Sequence, residues 1–169
     1  MKKVKGDLLS LQEGILVHGC NALGVMGAGV ALLIRNKYPD VFQTYSDYHA
    51  EAGLRLGEII TVGSSKAPIM TQPLAYGQVH SLSAQLPERL IVVNAITQES
   101  VARAAGELVV SYDSIFACFA QVRLLARTTG LGVHFPLIGC GLAGGDWEVV
   151  EPLIEAALGP DVEATLWTL

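Results

Sequence analysis

Charged and aromatic side chains are scarce in this sequence of 169 residues, at 16% and 7%. Soluble proteins contain ~25% charged residues on average. The low charge, together with 51% hydrophobic residues and 18 glycines, indicates a globular chain with a large core. The length fits one domain over residues 1–169, and we expect no second one.

Positive charge is in short supply, because 11 Lys and Arg residues stand against 16 Asp and Glu residues, for a net charge of −5. Proteins that bind a nucleic acid backbone without sequence preference need a broad basic surface. We therefore expect no non-specific nucleic acid binding. Main-chain NH groups can still bind anions in an acidic protein.

Long hydrophobic runs are absent as well. The apolar stretch at 28–34 ends at Arg35, well short of the ~18 residues that a membrane-spanning helix needs. The first residues, MKKVKGD, lack the apolar segment of a secretory signal. Three cysteines without paired spacing fit a reducing compartment. We expect a cytoplasmic protein with thiols and no membrane contact.

Short apolar segments alternate along the chain with amphipathic ones. The patterns predict strands at 14–20, 58–62, 90–97, 133–138 and 162–169, and helices at 28–38, 39–51, 111–128 and 147–158. The third helix should bury one stripe, formed by Ile115, Phe116, Phe119, Val122, Leu125 and Ala126. Residues 63–87 favour a loop or an edge hairpin. This alternation predicts an α/β fold with a largely parallel sheet covered on both faces.

Two glycine loops each join a predicted strand to a predicted helix. The first glycine loop is residues 24–29 (GVMGAG) and the second glycine loop is residues 139–145 (GCGLAGG). Such loops can bind an anion through main-chain NH groups, although either one alone can serve only close packing. Because the ends of parallel strands converge on one crevice, the pair predicts a diphosphate site.

Other nucleotide and metal chemistries fit the sequence less well. Neither loop ends in the Gly-Lys-Ser/Thr of a nucleotide-hydrolysing P-loop. The second loop matches GxGxxG with Asp161 about 20 residues further on, but Asp161 precedes the last predicted strand instead of ending the strand that follows the motif. His18, Cys20 and Cys140 lack metal-ligand spacing. We expect no metal and no cofactor.

Four segments resemble the macrodomain family: GDLL at 6–9, VHGCN at 17–21, GVMGAGVA at 24–31 and FPLIGCGLAGGDW at 135–147. The resemblance covers essentially the whole chain. It is greatest for the branch of bacterial, phage and yeast ADP-ribose 1''-phosphate phosphatases, to which NAITQ at 94–98 also points. It implies a three-layer α/β/α sandwich with a mixed, largely parallel central sheet and an ADP-ribose cleft at the strand ends.

The same resemblance assigns binding residues. Asp7 would accept a hydrogen bond from the adenine amino group, with Leu8 beside it, and Trp167 would stack on the ring. Asn21 would hold the distal ribose, and Gln98 that ribose or its phosphate. The two glycine loops would wrap the diphosphate, and the substrate-binding residues in and beside them would be Gly24, Met26, Gly27, Ala28, Gly29, Val30, Ile138, Gly139, Cys140, Gly141, Leu142, Ala143 and Gly144. Simpler interpretations are turn-closing side chains for Asp7 and Asn21 and a core residue for Trp167.

Hydrolysis of a sugar phosphate needs a positioned water and a proton for the leaving oxygen. We expect Asp146 to orient or deprotonate the water and His18 to donate the proton. The alternatives are a helix N-cap for Asp146 and a buried neutral imidazole for His18. Relatives that use a lysine intermediate have Lys and Asp where this chain has Gln98 and Ala143, so a lysyl intermediate is excluded at those positions.

The expected function is hydrolysis of ADP-ribose 1''-phosphate to ADP-ribose and phosphate, with ADP-ribose or its 1''-phosphate as the partner. Two alternatives remain open. One is an ADP-ribosyl hydrolase that acts on modified protein or nucleic acid without a lysine intermediate. The other is a reader that binds ADP-ribose without chemistry.

Overall fold

One sheet of seven strands runs through the described part of the chain, which is residues 1–66, 79–102, 104 and 107–169 of a computed structural model. The strands are β1 (Lys2–Lys5), β2 (Glu13–Asn21), β3 (Ile59–Ser64), β4 (Ser81–Ser83), β5 (Arg89–Gln98), β6 (Val133–Phe135) and β7 (Ala164–Thr168). Their order across the sheet is β1-β7-β6-β2-β5-β3-β4. β3 runs antiparallel to β5, and the other neighbours are parallel. The sheet is mixed and largely parallel, as predicted.

Helices cover both faces of this sheet. They are α1 (Gly29–Lys37), α2 (Pro39–Ala52), α3 (Tyr112–Thr129) and α4 (Trp147–Leu158). Successive side chains of a strand point to opposite faces. On β2, Ile15 and Val17 therefore pack in the cluster that contains α3 and α4, whereas Leu16 packs with Ile34 of α1 and Val41 of α2. These two cores confirm the three-layer α/β/α sandwich.

Local signals account for the helix ends. Pro39 occupies the first turn of α2, where its missing NH costs nothing. The Ser111 side chain caps α3 by accepting a hydrogen bond from the NH of Ser114 (3.2 Å). Gly130 ends α3 in the left-handed conformation, at φ 70° and ψ 14°. The predicted helix boundaries agree with the structure to within one residue.

Several details of the sequence prediction are wrong. Phe116 is 43% exposed, because it lies about 100° around the helix axis from the buried Ile115. The strand predicted at 133–138 ends at Phe135, since Pro136 has no NH for the sheet. A hairpin is wrong for the described part of 63–87, because β4 pairs with β3 in parallel. Residues 67–78 of that segment lie outside the described residues.

Strand β1 was not predicted. Its four residues, KKVK, are all exposed, so they carry no apolar signal. Charged residues of this kind are typical of edge strands, where they discourage pairing with another chain. Among the described residues, no helix combines the length and the apolar character that crossing a membrane requires.

Candidate functional site

Both glycine loops lie at the same edge of the sheet. Strands β2 and β6 are parallel neighbours, so their carboxyl ends lie side by side. The first loop leads from β2 to α1 and the second from β6 to α4. The loops also approach each other, because Cδ1 of Leu142 lies 4.0 Å from the position that a Cβ on Gly29 would take. We call these two loops and the adjoining strand ends the strand-end site.

The side chain of Asn21, at the end of β2, holds the first glycine loop. Its Oδ1 accepts hydrogen bonds from the NH groups of Leu23 (3.0 Å) and Val25 (3.4 Å), and its Nδ2 donates to the carbonyl oxygen of Val25 (2.8 Å). Asn21 is 7% exposed. It therefore has the turn-closing role that was the simpler interpretation. The Nδ2 group carries a second hydrogen, which could be donated to a ribose hydroxyl. Contact between Asn21 and a ribose stays a prediction.

The second glycine loop is braced by the segment that precedes α3. The carbonyl oxygen of Ala143 accepts hydrogen bonds from the NH groups of Val109 (3.0 Å) and Val110 (3.3 Å). Gly144 has a φ of 74°, and a Cβ there would lie 2.4 Å from the carbonyl oxygen of Glu107. Both the backbone angle and the close approach require glycine. The shape of this loop therefore depends on residue 144.

Main-chain NH groups in both loops lack a hydrogen-bond partner among residues 1–66, 79–102, 104 and 107–169. They belong to Gly27, Ala28, Gly29 and Val30 on one side and to Gly141, Leu142 and Ala143 on the other. The first group includes the start of α1, where a helix leaves NH groups unpaired and its dipole favours negative charge. Two such groups at one edge suit an anion with two phosphates.

Asp146 directly follows the second glycine loop and is the N-cap of α4. Its Oδ1 accepts a hydrogen bond from the NH of Glu148 (2.9 Å), and its own NH donates to the hydroxyl of Tyr112 (3.1 Å). The side chain is exposed. Within the described residues, Oδ2 has no partner. The N-cap alternative is confirmed, and one carboxylate oxygen remains available for a water.

His18 lies in the core, with 1% of its surface exposed. Its Nε2 is 2.7 Å from Oδ1 of Asn94, and its Nδ1 is 3.6 Å from Sγ of Cys20. Because an amide oxygen only accepts, Nε2 carries the proton. Burial lowers the pKa of His18 to about 4, and burial also raises the pKa of the Cys20 thiol. These contacts fit the buried neutral imidazole and argue against the predicted proton donor.

The predicted adenine residues lie at the ends of β1 and β7. Asp7 caps the short 3-10 helix that begins at Leu8, accepting a hydrogen bond from the NH two residues after itself (2.8 Å). Leu8 is buried. Trp167 is half-buried, and its Nε1 donates to Nδ1 of His134 (3.1 Å). The indole lies 3.5 Å from the Cβ position of Gly6. Trp167 is thus a packed residue beside Asp7, and its contact with adenine stays a prediction.

The remaining predicted residues differ in how much they present to a ligand. Gln98 is half-buried, and its Nε2 donates to the carbonyl oxygen of Ser100 (2.7 Å). Met26 and Ile138 are buried, so they would contact a ligand through the main chain. Burial raises the pKa of Cys140 to about 11, with a smaller contribution from Asp146. At neutral pH Cys140 is a thiol and a poor nucleophile.

A cleft of about 380 Å³ opens at the opposite end of the sheet, where α3 ends and β6 and β7 begin. Its Asp161 pairs with Nη2 of Arg123 (2.6 Å) and with Nε of Arg127 (3.4 Å). Asp161 is the acidic residue that follows the GxGxxG match of the second glycine loop at the spacing of a dinucleotide-binding site. It lies, however, at the opposite end of the sheet from that loop. That interpretation fails on geometry. In the described ranges, no three His, Cys, Asp or Glu side chains are grouped to hold a metal ion.

Sequence reasoning missed several residues that support the site. Tyr45 and Tyr112 occupy ordinary positions in amphipathic helices, and nothing in the sequence pattern marks their hydroxyls as hydrogen-bond partners of Asn21 and Asp146. Val109 and Val110 supply main-chain NH groups, which any residue but proline carries. Asn94 did offer a signal, because a polar residue inside the apolar run LIVVNAIT needs a buried partner.

Known proteins resemble this chain over nearly its whole length, although no family model matches it. The ADP-ribose 1''-phosphate phosphatase of Candida albicans is 27% identical over 157 residues, which cover 90% of each chain. The DNA ADP-ribosyl glycohydrolase of Mycobacterium tuberculosis is 26% identical over 164 residues, which cover 96% of this chain and 40% of that protein. This chain therefore spans less than half of the glycohydrolase.

A solved structure is similar to this chain in both sequence and fold. The macrodomain of Mycobacterium tuberculosis DarG matches with a TM-score of 0.75 and 25% identity, over 99% of this chain and 97% of that one. The fold is an α/β/α sandwich in which the two glycine loops lie side by side at the strand ends. The chain resembles the macrodomains in sequence and in fold, and several of its relatives carry the name ADP-ribose 1''-phosphate phosphatase. The family resemblance of the sequence is confirmed.

Proposed function

We propose that the strand-end site binds ADP-ribose and hydrolyses ADP-ribose 1''-phosphate to ADP-ribose and phosphate. The observation that carries the proposal is the pair of glycine loops with unpartnered NH groups at the adjoining ends of β2 and β6. A diphosphate has acceptor oxygens on both phosphorus atoms, so one phosphate can bind the NH groups of the first glycine loop and the other those of the second. The proposal is also supported by the names of the Candida and Mycobacterium relatives, because both name substrates that contain ADP-ribose.

The order of the strands fits the order of the parts of ADP-ribose. At one side of the sheet, the predicted adenine residues are Asp7, two residues after β1, and Trp167, near the end of β7. The neighbouring β6 and β2 lead into the two glycine loops. The next strand, β5, ends at Gln98, which is predicted to hold the distal ribose or its phosphate. The ligand would lie across the strand ends in that direction, with its diphosphate in the middle.

In the proposed reaction, a water attacks the 1''-phosphorus while Oδ2 of Asp146 takes up its proton. The bond between phosphorus and the ribose oxygen breaks, its electron pair stays on that oxygen, and a proton from solvent completes the hydroxyl. Loop NH groups would stabilise charge on the phosphoryl oxygens, which is the main requirement of phosphoryl transfer. His18 has no step here, because it is buried and neutral.

Two variants of Asp146 separate its capping from its chemistry. Asparagine is as good an N-cap as aspartate but cannot take up a proton, so Asp146→Asn should keep the stability of the wild type. We expect its kcat for phosphate release to fall roughly 10²-fold, the scale of general base catalysis. Asp146→Ala should show the same loss and lose about 1 kcal/mol of stability as well. Wild-type turnover by Asp146→Asn would remove Asp146 from the mechanism.

The same assay distinguishes the alternatives. Release of ADP-ribose from modified protein or DNA, with no phosphate release from ADP-ribose 1''-phosphate, would indicate an ADP-ribosyl hydrolase. Such an enzyme would work without the lysine intermediate, because Gln98 and Ala143 cannot form one. Binding without turnover of any of these substrates would indicate a reader.

We further propose that residues 1–169 form a single domain that works in the cytoplasm and does not bind nucleic acid non-specifically. One continuous sheet in the described residues supports the first point. Three free cysteines, all within the described ranges, support a reducing location. The net charge of −5 supports the last point.

A further inference from the structure

Two side chains of helix α2 contact the first glycine loop and the strand end that leads into it. The hydroxyl of Tyr45 lies 2.5 Å from the main-chain oxygen of Asn21 and 3.1 Å from its Oδ1. One turn later, the ring of His49 lies 2.6 Å from the position that a Cβ on Gly24 would take. Gly24, with φ 74°, therefore has no room for a side chain. The loop rests directly on α2.

Tyr45 is suited to a fixed hydrogen-bonding role. It is fully buried and packs with Cys20, Met26 and Ile96. Burial raises the pKa of its hydroxyl and the nearby Cys20 adds to the effect, which outweighs the opposite influence of the main-chain NH groups of Gly24 and Val25. The hydroxyl therefore stays protonated and donates its single hydrogen toward the two oxygens of Asn21.

Those two oxygens determine how the loop leaves β2. The main-chain oxygen of Asn21 belongs to the last residue of the strand, next to a register shift against β5. The side-chain Oδ1 accepts the NH groups of Leu23 and Val25. Loss of the hydroxyl would leave a buried carbonyl oxygen without this donor, and would free Asn21 to move together with the residues it holds.

We propose that Tyr45 is a positioning residue of the ADP-ribose site. Acting through Asn21 and on the main-chain NH groups of Gly24 and Val25, its hydroxyl holds the first glycine loop in the conformation in which residues 27–30 present their NH groups to the diphosphate. The inference rests on the proposed function for the identity of the ligand. It adds a residue of α2 that does not itself touch the ligand.

Tyr45→Phe removes only the hydroxyl, and Tyr48→Phe is its matched control. Tyr48 lies on the same helix, but its ring contacts His80 (5.7 Å between centroids) instead of the loop. Calorimetry with ADP-ribose should give a Kd about 10-fold higher for Tyr45→Phe, the scale of one hydrogen bond, and an unchanged Kd for Tyr48→Phe. Hydrogen exchange without ligand should become faster at residues 22–30 and stay unchanged at residues 139–145.

If Tyr45 only stabilised the fold as a whole, hydrogen exchange in Tyr45→Phe would become faster in both loops and across the sheet. That outcome, or an unchanged Kd in Tyr45→Phe, would overturn the inference. A second comparison tests the route through Asn21, because Tyr45→Phe should weaken binding less in an Asn21→Ala background than in the wild type. Additive losses would contradict that route. If the wild type fails to bind ADP-ribose, the proposed function itself falls, and this inference with it.

Discussion

Replacing Gly144 with alanine tests the architecture of the second glycine loop most sharply. A left-handed residue with a Cβ costs about 1–2 kcal/mol relative to glycine. At Gly144 the Cβ would also lie 2.4 Å from the carbonyl oxygen of Glu107, so the backbone on one side must move. Overpacking of this kind adds about 1–3 kcal/mol. We expect Gly144→Ala to lose about 2–5 kcal/mol of unfolding free energy.

Gly130→Ala is the matched control for this variant. Gly130 has nearly the same φ, 70° against 74°, and an added Cβ there would have nothing within 4 Å. It ends α3 at the opposite end of the sheet from the two loops. This variant should lose only about 1 kcal/mol, from backbone strain that is partly offset by a stiffer unfolded chain.

Urea unfolding and calorimetry with ADP-ribose together decide the outcome. The displaced loop in Gly144→Ala should weaken ADP-ribose binding at least 10-fold, whereas Gly130→Ala should bind like the wild type. Equal stability losses in the two variants would refute the packing of the loop against Glu107. Normal binding by a destabilised Gly144→Ala would refute the role of the loop in the site.

Other predictions concern titration, fluorescence and charge. The pKa of His18 falls from 6.5 to about 4 on folding, so the unfolded chain binds more protons between these values. The unfolding free energy should therefore drop by up to about 3 kcal/mol as the pH falls through that window. A urea titration series should show this slope flattened in His18→Gln, and an equal slope in both proteins would contradict the assignment. In a Trp147→Phe background, ADP-ribose should change the emission of Trp167; unaltered emission would place adenine elsewhere. A fluorescently labelled duplex oligonucleotide should show no binding in low salt when its anisotropy is measured. Binding that weakens as salt is added would indicate a basic surface that the sequence does not suggest.

The sequence was sufficient for the elements whose signals are local. Pro39, Ser111 and Gly130 determine helix ends through their own backbone chemistry, so those boundaries were predictable. Edge strands carried little signal, because β1 is exposed along its whole length and β4 has only three residues. Their pairing depends on the strands beside them in the sheet.

The candidate site was predictable as a pair of loops but not in its contacts. Glycine spacing and the parallel sheet together predicted that the loops meet. The sequence could not say that the amide of Asn21 is used within the loop, or that His18 is covered by the core. Both facts depend on partners distant in the chain, Tyr45 for Asn21 and Asn94 for His18.

The proposed function requires that main-chain NH groups of the two glycine loops bind the diphosphate of ADP-ribose without a lysine. An NMR titration of the ¹⁵N-labelled protein with ADP-ribose tests it directly. We expect saturable shifts that are largest at the NH signals of residues 27–30 and 141–143. Shifts confined to the cleft near Arg127 and Asp161, or no shifts at millimolar ADP-ribose, would contradict it.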